Sequence, residues 1–405
     1  MIRFLTAGES HGKNLTTIVD GFPSNLFISE KYINHELQRR QSGYGRGLRM
    51  KIESDKAEIL SGVRLGKTLG SPISIIIRNS DWENWTSLMS VDPVNGNQQK
   101  ISIPRPGHAD MVGVSKFNYD DIRNSIERSS ARETAVRVAA GSIARKFLEE
   151  FGISIGSYVE SIGGIYPEKN FSVKLFKNSV QKNFEARLIS EKADKSMVRV
   201  LDLAQEDKII KKIRSAKKKG DTLGGTFVTF ATGVPVGLGS FMNYDTKLDA
   251  DIARSIMSIN AVKAVEIGEG FLLAEKFGSK AHDEIVLHND FISRKTNHAG
   301  GIEGGVSNGL PIIVRSAMKP IATLMSPIES IDLSNMKKVD ARRERSDFVA
   351  VPACAVISES MLAWSLADFF LQKFGGDSIE EIKDNFSSFN KKLFTRIKNN
   401  FKGKI

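Results

Sequence analysis

The stretch that most constrains the fold is residues 133–152, "ETAVRVAAGSIARKFLEEFG". Val136, Ala139, Ala140, Ile143 and Phe147 recur at intervals of three and four, which puts them on one face of a helix. Gly152 follows where a residue free to adopt the left-handed conformation would close that helix. A helix this apolar needs layers to bury it. Runs of strand character lie at 2–6, 15–19, 57–63, 73–78, 197–203, 226–232 and 310–315. Further helices are predicted at 29–40, 205–218 (closed by Gly220), 246–257 and 357–374, the last with Ser358 near its start. Strands and helices interleave without a regular βαβ beat. The pattern predicts a single α+β domain and not a doubly wound parallel sheet.

Hydrophobic residues make up 40% of the 405 and charged ones 26%, as in soluble globular proteins. No apolar run is read as reaching the roughly 18–20 residues of a membrane span, and the first ten residues lack a secretory pattern. Cys354 is the only cysteine. It excludes an internal disulfide and fits a reducing cytoplasm.

Lys and Arg number 58 against 47 Asp and Glu, a formal charge of +11. That balance suits an anionic partner: a phosphorylated small molecule, a nucleic acid or an anionic membrane surface. Residues 391–405, "KKLFTRIKNNFKGKI", carry six bases and no acid, and read as a solvated helical tail. "RRQSGYGRGLRMK" at 39–51 differs, because Arg39, Arg40, Arg46, Arg49 and Lys51 crowd a Gly-rich segment without an acid. A solvated loop mixes signs, so this one predicts an anion site. Nucleic-acid binding is disfavoured by the lack of an aromatic-interleaved basic strand or a recognition helix.

Two motifs mislead. "GESHG" at 8–12 matches G-x-S-x-G, whose serine sits on a sharp strand-to-helix turn. Here "NLTTIVDG" follows, a strand pattern, so Ser10 is not read as a nucleophile. "GVRLGKT" at 62–68 is one residue short of P-loop spacing and leads into another strand pattern.

Six histidines occur. His35 reads as surface, and His282 and His288 as structural or exposed. His11 and His108 sit between small turn-forming residues, where a ligand could reach an imidazole that titrates near neutrality. With the arginines, the pair suggests a proton-transfer site. No C-x-x-C, H-E-x-x-H or carboxylate cluster suggests a metal. "ERSSARETAVR" at 127–137 offers Arg128, Ser129, Ser130 and Arg132 near a helix start, a phosphate cradle. It reads equally as a serine cap followed by ion pairs. "NHAGGIEGGVSNG" at 297–309 packs in five glycines, allowing close backbone approach to a flat or phosphorylated ligand. In "DARRERSDF" at 340–348, Asp347 stands among arginines, as a base, an orienting acceptor or a salt bridge.

"AGESHG", "RRQSGYGRGLRM", "RPGHAD", "RSSARETAVRVAAG", "SINAVKAVEIG", "NHAGGIEGGVSNG" and "RSDFVAVPA" follow one another in the order found in chorismate synthases. The chain resembles that family from about residue 3 to residue 375. The resemblance implies a one-domain β-α-β sandwich over 1–375, with 376–405 a basic, helical extension. It implies an anti-1,4-elimination of phosphate from 5-enolpyruvylshikimate 3-phosphate to give chorismate, the last step of the shikimate pathway to the aromatic amino acids. Reduced FMN is required without net redox change, donating an electron transiently to help phosphate leave. It also implies a homotetramer. NADPH-dependent flavin reduction, alone or in addition, is the alternative activity.

Residue by residue, the resemblance assigns His11 to protonating the departing phosphate and His108 to the flavin. Asp347 would help the flavin take the substrate proton. Ser10, Arg40, Arg46, Arg49 and Arg132 would hold the substrate, with Arg40 and Arg46 also matching positions linked to NADPH. Arg128, Ser129, Ser130, Asn260, Ala261, Gly304, Lys319, Pro320, Ile321, Ala322, Thr323 and Arg345 would hold the flavin. "KPIAT" stands where the family usually has "KPTST" or "KPTSS", so hydroxyls are missing at Ile321 and Ala322.

Overall fold

The computed structural model describes residues 1–47, 54–94, 96, 98–168, 179–180, 184–288, 291–344 and 346–401. Arg49 and Arg345, both expected in the site, lie outside the described residues.

Two four-stranded antiparallel sheets enclose a helical layer. The first sheet contains β1 (Arg3–Ala7), β2 (Asn14–Asp20), β3 (Ala57–Ile59) and β4 (Ile73–Arg78), in the order β1-β2-β4-β3. The second contains β5 (Ser154–Ile162), β6 (Gly225–Thr232), β7 (Val262–Ile267) and β8 (Ile312–Met318), in the order β7-β8-β6-β5. In the first sheet Leu15 pairs with Ile77 and Val19 with Ile73, all four buried, so one face is apolar. That face packs on α4 (Thr134–Glu149), which packs on α8 (Val351–Phe374), which in turn packs on the second sheet. This is the predicted α+β sandwich.

The apolar stripe of α4 is buried as expected, and so is most of its far side: Ala135, Val138, Ala144 and Leu148 are also inaccessible. A helix in a middle layer must be apolar on both faces. Gly141 lets α4 and α8 approach closely, since a Cβ there would lie 2.4 Å from Ser360 Cβ. Gly152 takes φ +73, as the helix end requires.

The other described helices of seven or more residues are α1 (Glu30–Gln41), α2 (Asp110–Phe117), α3 (Arg123–Ser129), α5 (Ala186–Asp194), α6 (Leu203–Lys219), α7 (Leu248–Met257) and α9 (Ile379–Phe401). Several expectations need correction. α8 begins at Val351, six residues earlier than read, with a proline in its first turn. Ser358 is therefore mid-helix, where its hydroxyl pairs with Thr229 at 2.8 Å. α8 is also long and apolar enough to cross a membrane, contrary to the sequence reading. However, 94% of its most apolar window is buried inside the fold, as a core helix requires. Segment 197–203 is not a strand: Arg199 takes φ +60 and Asp202 caps α6 through Ala204 N–H. "GVRLGKT" is a tight hairpin pairing Val63–Arg64 with Lys67–Leu69 across Leu65 and Gly66, both at positive φ.

α9 runs from Ile379 to Phe401. It is docked at its start, where Phe386 and Phe389 pack against Phe374 with ring centroids 5.1 and 5.5 Å away. Cys354 is buried in α8, and burial pushes its thiol up to about 12.

Candidate active site

β1 leaves the first sheet at Ala7 and turns through Gly8, which takes φ +106 where a Cβ would lie 2.4 Å from the Asn14 carbonyl. This turn carries Ser10 and His11 and feeds straight into β2, so no nucleophile elbow forms. α3 receives it. Ser10 N–H donates to the Glu127 carbonyl at 3.1 Å, and Ser10 Oγ lies 3.1 Å from Ser130 Oγ. His11 N–H donates to Glu127 Oε2 at 2.8 Å, while His11 Nδ1 lies 2.9 Å from Oε1. Trp85 stacks on the imidazole with centroids 3.8 Å apart.

A chain of contacts runs outward from Ser130. The neighbouring Ser129 accepts a hydrogen bond at its carbonyl from Asn260 Nδ2, 3.0 Å away. Ala261, at φ +67, accepts from Lys319 N–H at 2.9 Å. Lys319 Nζ donates to the Gly107 carbonyl. Arg128 extends from α3 to the Thr6 carbonyl at 3.0 Å. Residues drawn from five separate parts of the sequence therefore meet: 10–11, 107–108, 128–130, 260–261 and 319–323.

His108 is held firmly. Its Nδ1 lies 2.6 Å from Asp110 Oδ1, and Arg105 clamps the same carboxylate at 2.8 and 3.0 Å. Burial alone would raise the Asp110 pKa. Hydrogen bonds from His108 and Arg105, with the guanidinium charge, hold that carboxyl well below the usual range. Arg105 also reaches Thr323 Oγ1 at 3.1 Å, tying the His108 turn to "KPIAT".

The predicted anion site is split. Arg40 donates to Asp55 at 3.0 Å and to Thr134 at 3.1 Å, and Arg132 donates to the other oxygen of Asp55 and to Asn79 at 3.0 Å. Arg46 lies 3.1 Å from Asp347, whose second oxygen accepts from Gly47 N–H. Among the described residues, the guanidiniums of Arg40, Arg46 and Arg132 face the carboxylates of Asp55 and Asp347. Burial first, and then Arg132 and Arg46, push Arg40 down to about 10.

Arg39 does not belong to that cluster, which corrects its expected place. It points into the core, donating to Glu359 at 2.7 and 2.9 Å and to Glu36 at 2.6 Å. Arg145 and Arg199 share Glu359 at 2.5 and 3.2 Å, and Arg199 also pairs with Asp194. Gly304 takes φ +62 in the turn joining Ile302–Glu303 to Val306–Ser307, beside the start of α7. No contact among the described residues joins it to the flavin set.

The sequence reading did not single out Glu127, Trp85, Asp55, Asn79 or Arg105 for the site, and it quoted Asp110 without giving it a role. Asp110 and Arg105 had a local signal, two residues after and three residues before His108. Glu127, Trp85, Asp55 and Asn79 meet their site partners only across 15 or more residues of chain. Among the described residues no group of His, Cys, Asp and Glu could hold a metal ion.

The sequence profile described as chorismate synthase matches residues 2–371. The chain is 50% identical over 400 residues to the chorismate synthase of Chlorobaculum tepidum, covering 98% of this chain and 99% of that one. It is 51% identical over 392 residues to the chorismate synthase of Aquifex aeolicus, covering 96% and 97%. Such alignments extend beyond residue 375 into α9. A solved structure titled "Crystal Structure of Chorismate Synthase" superposes with a TM-score of 0.79 at 43% identity, covering 97% of this chain and 98% of that one. With this fold and near full-length identity of about one half, the chain belongs to the chorismate synthase family.

Proposed function

We propose that this chain makes chorismate by anti-1,4-elimination of phosphate from 5-enolpyruvylshikimate 3-phosphate, in aromatic amino acid biosynthesis. It is a carbon–oxygen lyase: the ring C–O bond to phosphate breaks, a ring proton leaves, and a second double bond forms. The observation that carries the reading is the meeting of five separated segments at one place, in a chain half identical to named chorismate synthases. Nothing in the comparisons favours flavin reduction as the sole activity.

The substrate carries a phosphate and two carboxylates. Arg40, Arg46 and Arg132 supply the guanidiniums, which match such groups in a bidentate way, and Arg49 would join them. Ser10 would hydrogen-bond substrate. His11 would protonate the departing phosphate through Nε2, since Nδ1 is committed to Glu127. Asp347, at the mouth of the arginine cluster, would accept a proton or orient its acceptor.

The donor set fits a phosphate-bearing flavin. Arg128, Ser129, Ser130, Asn260, Ala261 and Lys319 form one connected surface, followed by Pro320 to Thr323, while Gly304 and Arg345 enter only by resemblance. Reduced FMN, when bound, supplies the electron density that eases phosphate departure. His108 would stand beside it, its ring held in place by Asp110 and Arg105. NADPH as reductant, a homotetramer and a cytoplasmic location complete the reading.

An anaerobic assay with enolpyruvylshikimate phosphate and dithionite-reduced FMN tests this. Equal release of phosphate and chorismate is expected, with His108→Ala slowing both by roughly 10²–10⁴-fold. Flavin binding without either product would overturn it, and a repeat with oxidised FMN and NADPH tests self-reduction.

"KPIAT" carries a separate expectation. Ile321 has no side-chain hydrogen-bonding group, and its carbonyl accepts from Thr222 Oγ1 at 2.7 Å. Each missing neutral hydrogen bond costs about 1 kcal/mol. The Ile321→Thr, Ala322→Ser double variant should therefore bind FMN up to about thirtyfold more tightly. Equal dissociation constants for the two proteins would refute the idea.

A further inference from the structure

We infer that Glu127 is the positioning residue of His11: it fixes which ring nitrogen carries the exchangeable proton. The inference rests on His11 acting as the acid toward phosphate.

One residue holds the whole turn. Glu127 accepts from Ser10 N–H through its carbonyl, and from His11 N–H at 2.8 Å through its carboxylate. The same carboxylate meets His11 Nδ1 at 2.9 and 3.1 Å. An ionised carboxylate can only accept hydrogen bonds, so Nδ1 must carry a hydrogen in both the neutral and the protonated ring. That leaves Nε2 as the sole ring atom able to gain or lose a proton. Among the described residues no hydrogen bond engages Nε2.

The geometry leaves the ring little freedom to reverse this assignment. Trp85 covers one face of the imidazole at 3.8 Å, with planes 22° apart. Trp85 is itself held by a hydrogen bond from its indole N–H to Asp81 at 2.9 Å, and Arg123 lies 5.3 Å from its ring centroid. Arg123 also stands 3.8 Å from Glu127. Glu127 is 3% exposed, so water does not compete for its oxygens. A ring flip would break two contacts to one buried carboxylate. A proton donor pre-set in this way spends no time in the wrong tautomer when phosphate arrives.

Glutamine at 127 can either accept from or donate to Nδ1, so it releases the tautomer while keeping the shape. In Glu127→Gln, kcat is expected to fall on the order of 10²-fold with KM within about threefold. Glu127→Asp, which remains acceptor-only, should recover part of the loss. In protein labelled with ¹⁵N-histidine, the His11 ring should show the Nδ1–H form in the wild type and a mixture in Glu127→Gln. Glu127→Gln added to His11→Ala should slow the enzyme no further, because the first acts through the second.

Wild-type kcat in Glu127→Gln beside a slow His11→Ala would overturn the inference and leave the role of His11 standing. Additive losses in the double variant would likewise overturn it, showing that Glu127 acts by another route. Full activity in His11→Ala would instead remove the acid role itself, and the inference with it.

Discussion

Glu359→Gln is expected to lower the free energy of unfolding by about 3–5 kcal/mol. Glu359 lies in the middle of α8 with no exposed surface. Arg39 and Arg145 each donate to it, Arg199 reaches it at 3.2 Å, and Ser157 and Ser190 add hydroxyls at 2.6 and 2.9 Å. Removing the charge leaves these three buried guanidiniums to Glu36, Asp194 and, 3.9 Å from Arg145, Glu149. Burial, and next Arg39, already push Arg199 down to about 9. Urea unfolding at neutral pH measures the loss, and a change under 1 kcal/mol would contradict the argument.

The pH dependence follows in sign. Burial alone would raise both carboxyl pKa values, but Arg145 and Arg39 hold Glu36 at about 2 and Glu359 below the ordinary range. The unfolded value is about 4.3, so the unfolded chain binds protons first as pH falls. The stability these groups give is complete above about pH 5 and is lost toward pH 2. Stability of Glu359→Gln should therefore fall less steeply between about pH 5 and 3 than that of the wild type.

The second large effect belongs to the anion site. Asp55→Asn removes the carboxylate that accepts from both Arg40 and Arg132, two buried guanidiniums. Stripping one partner from a buried pair costs about 3–5 kcal/mol, most of it from the charges left behind. An added anion should relieve this. Inorganic phosphate is expected to raise the melting temperature of Asp55→Asn by more than it raises that of the wild type. Equal shifts would mean that phosphate does not reach these arginines.

What could be read from the sequence follows from distance along the chain. The stripe of α4 shows because five apolar side chains repeat within three turns. β5 was missed because Ser157, Glu160 and Ser161 make it look polar, although each is buried. Their partners lie elsewhere: Ser157 meets Glu359 and Glu160 meets Arg315. The same polar network explains 197–203, where Val198 and Val200 alternate and Leu201 follows, suggesting a strand. Arg199 instead turns the backbone to reach Ser157 and Glu359. His11 and His108 stand out beside glycines, whereas Glu127 looks like any glutamate at the start of a basic segment. Arg39 and Arg40 are adjacent letters with opposite destinations, and only the rotation of α1 separates them.

The sole thiol sits at the second turn of the central helix, out of reach of solvent and with little thiolate at neutral pH. It should stay silent toward maleimides while the sandwich is closed. A cysteine introduced anywhere on the surface would then be the single point of attachment for a dye, with no need to remove the native one. The slow reaction of Cys354 itself becomes a clock, its rate reporting how often the two sheets part from the helices between them.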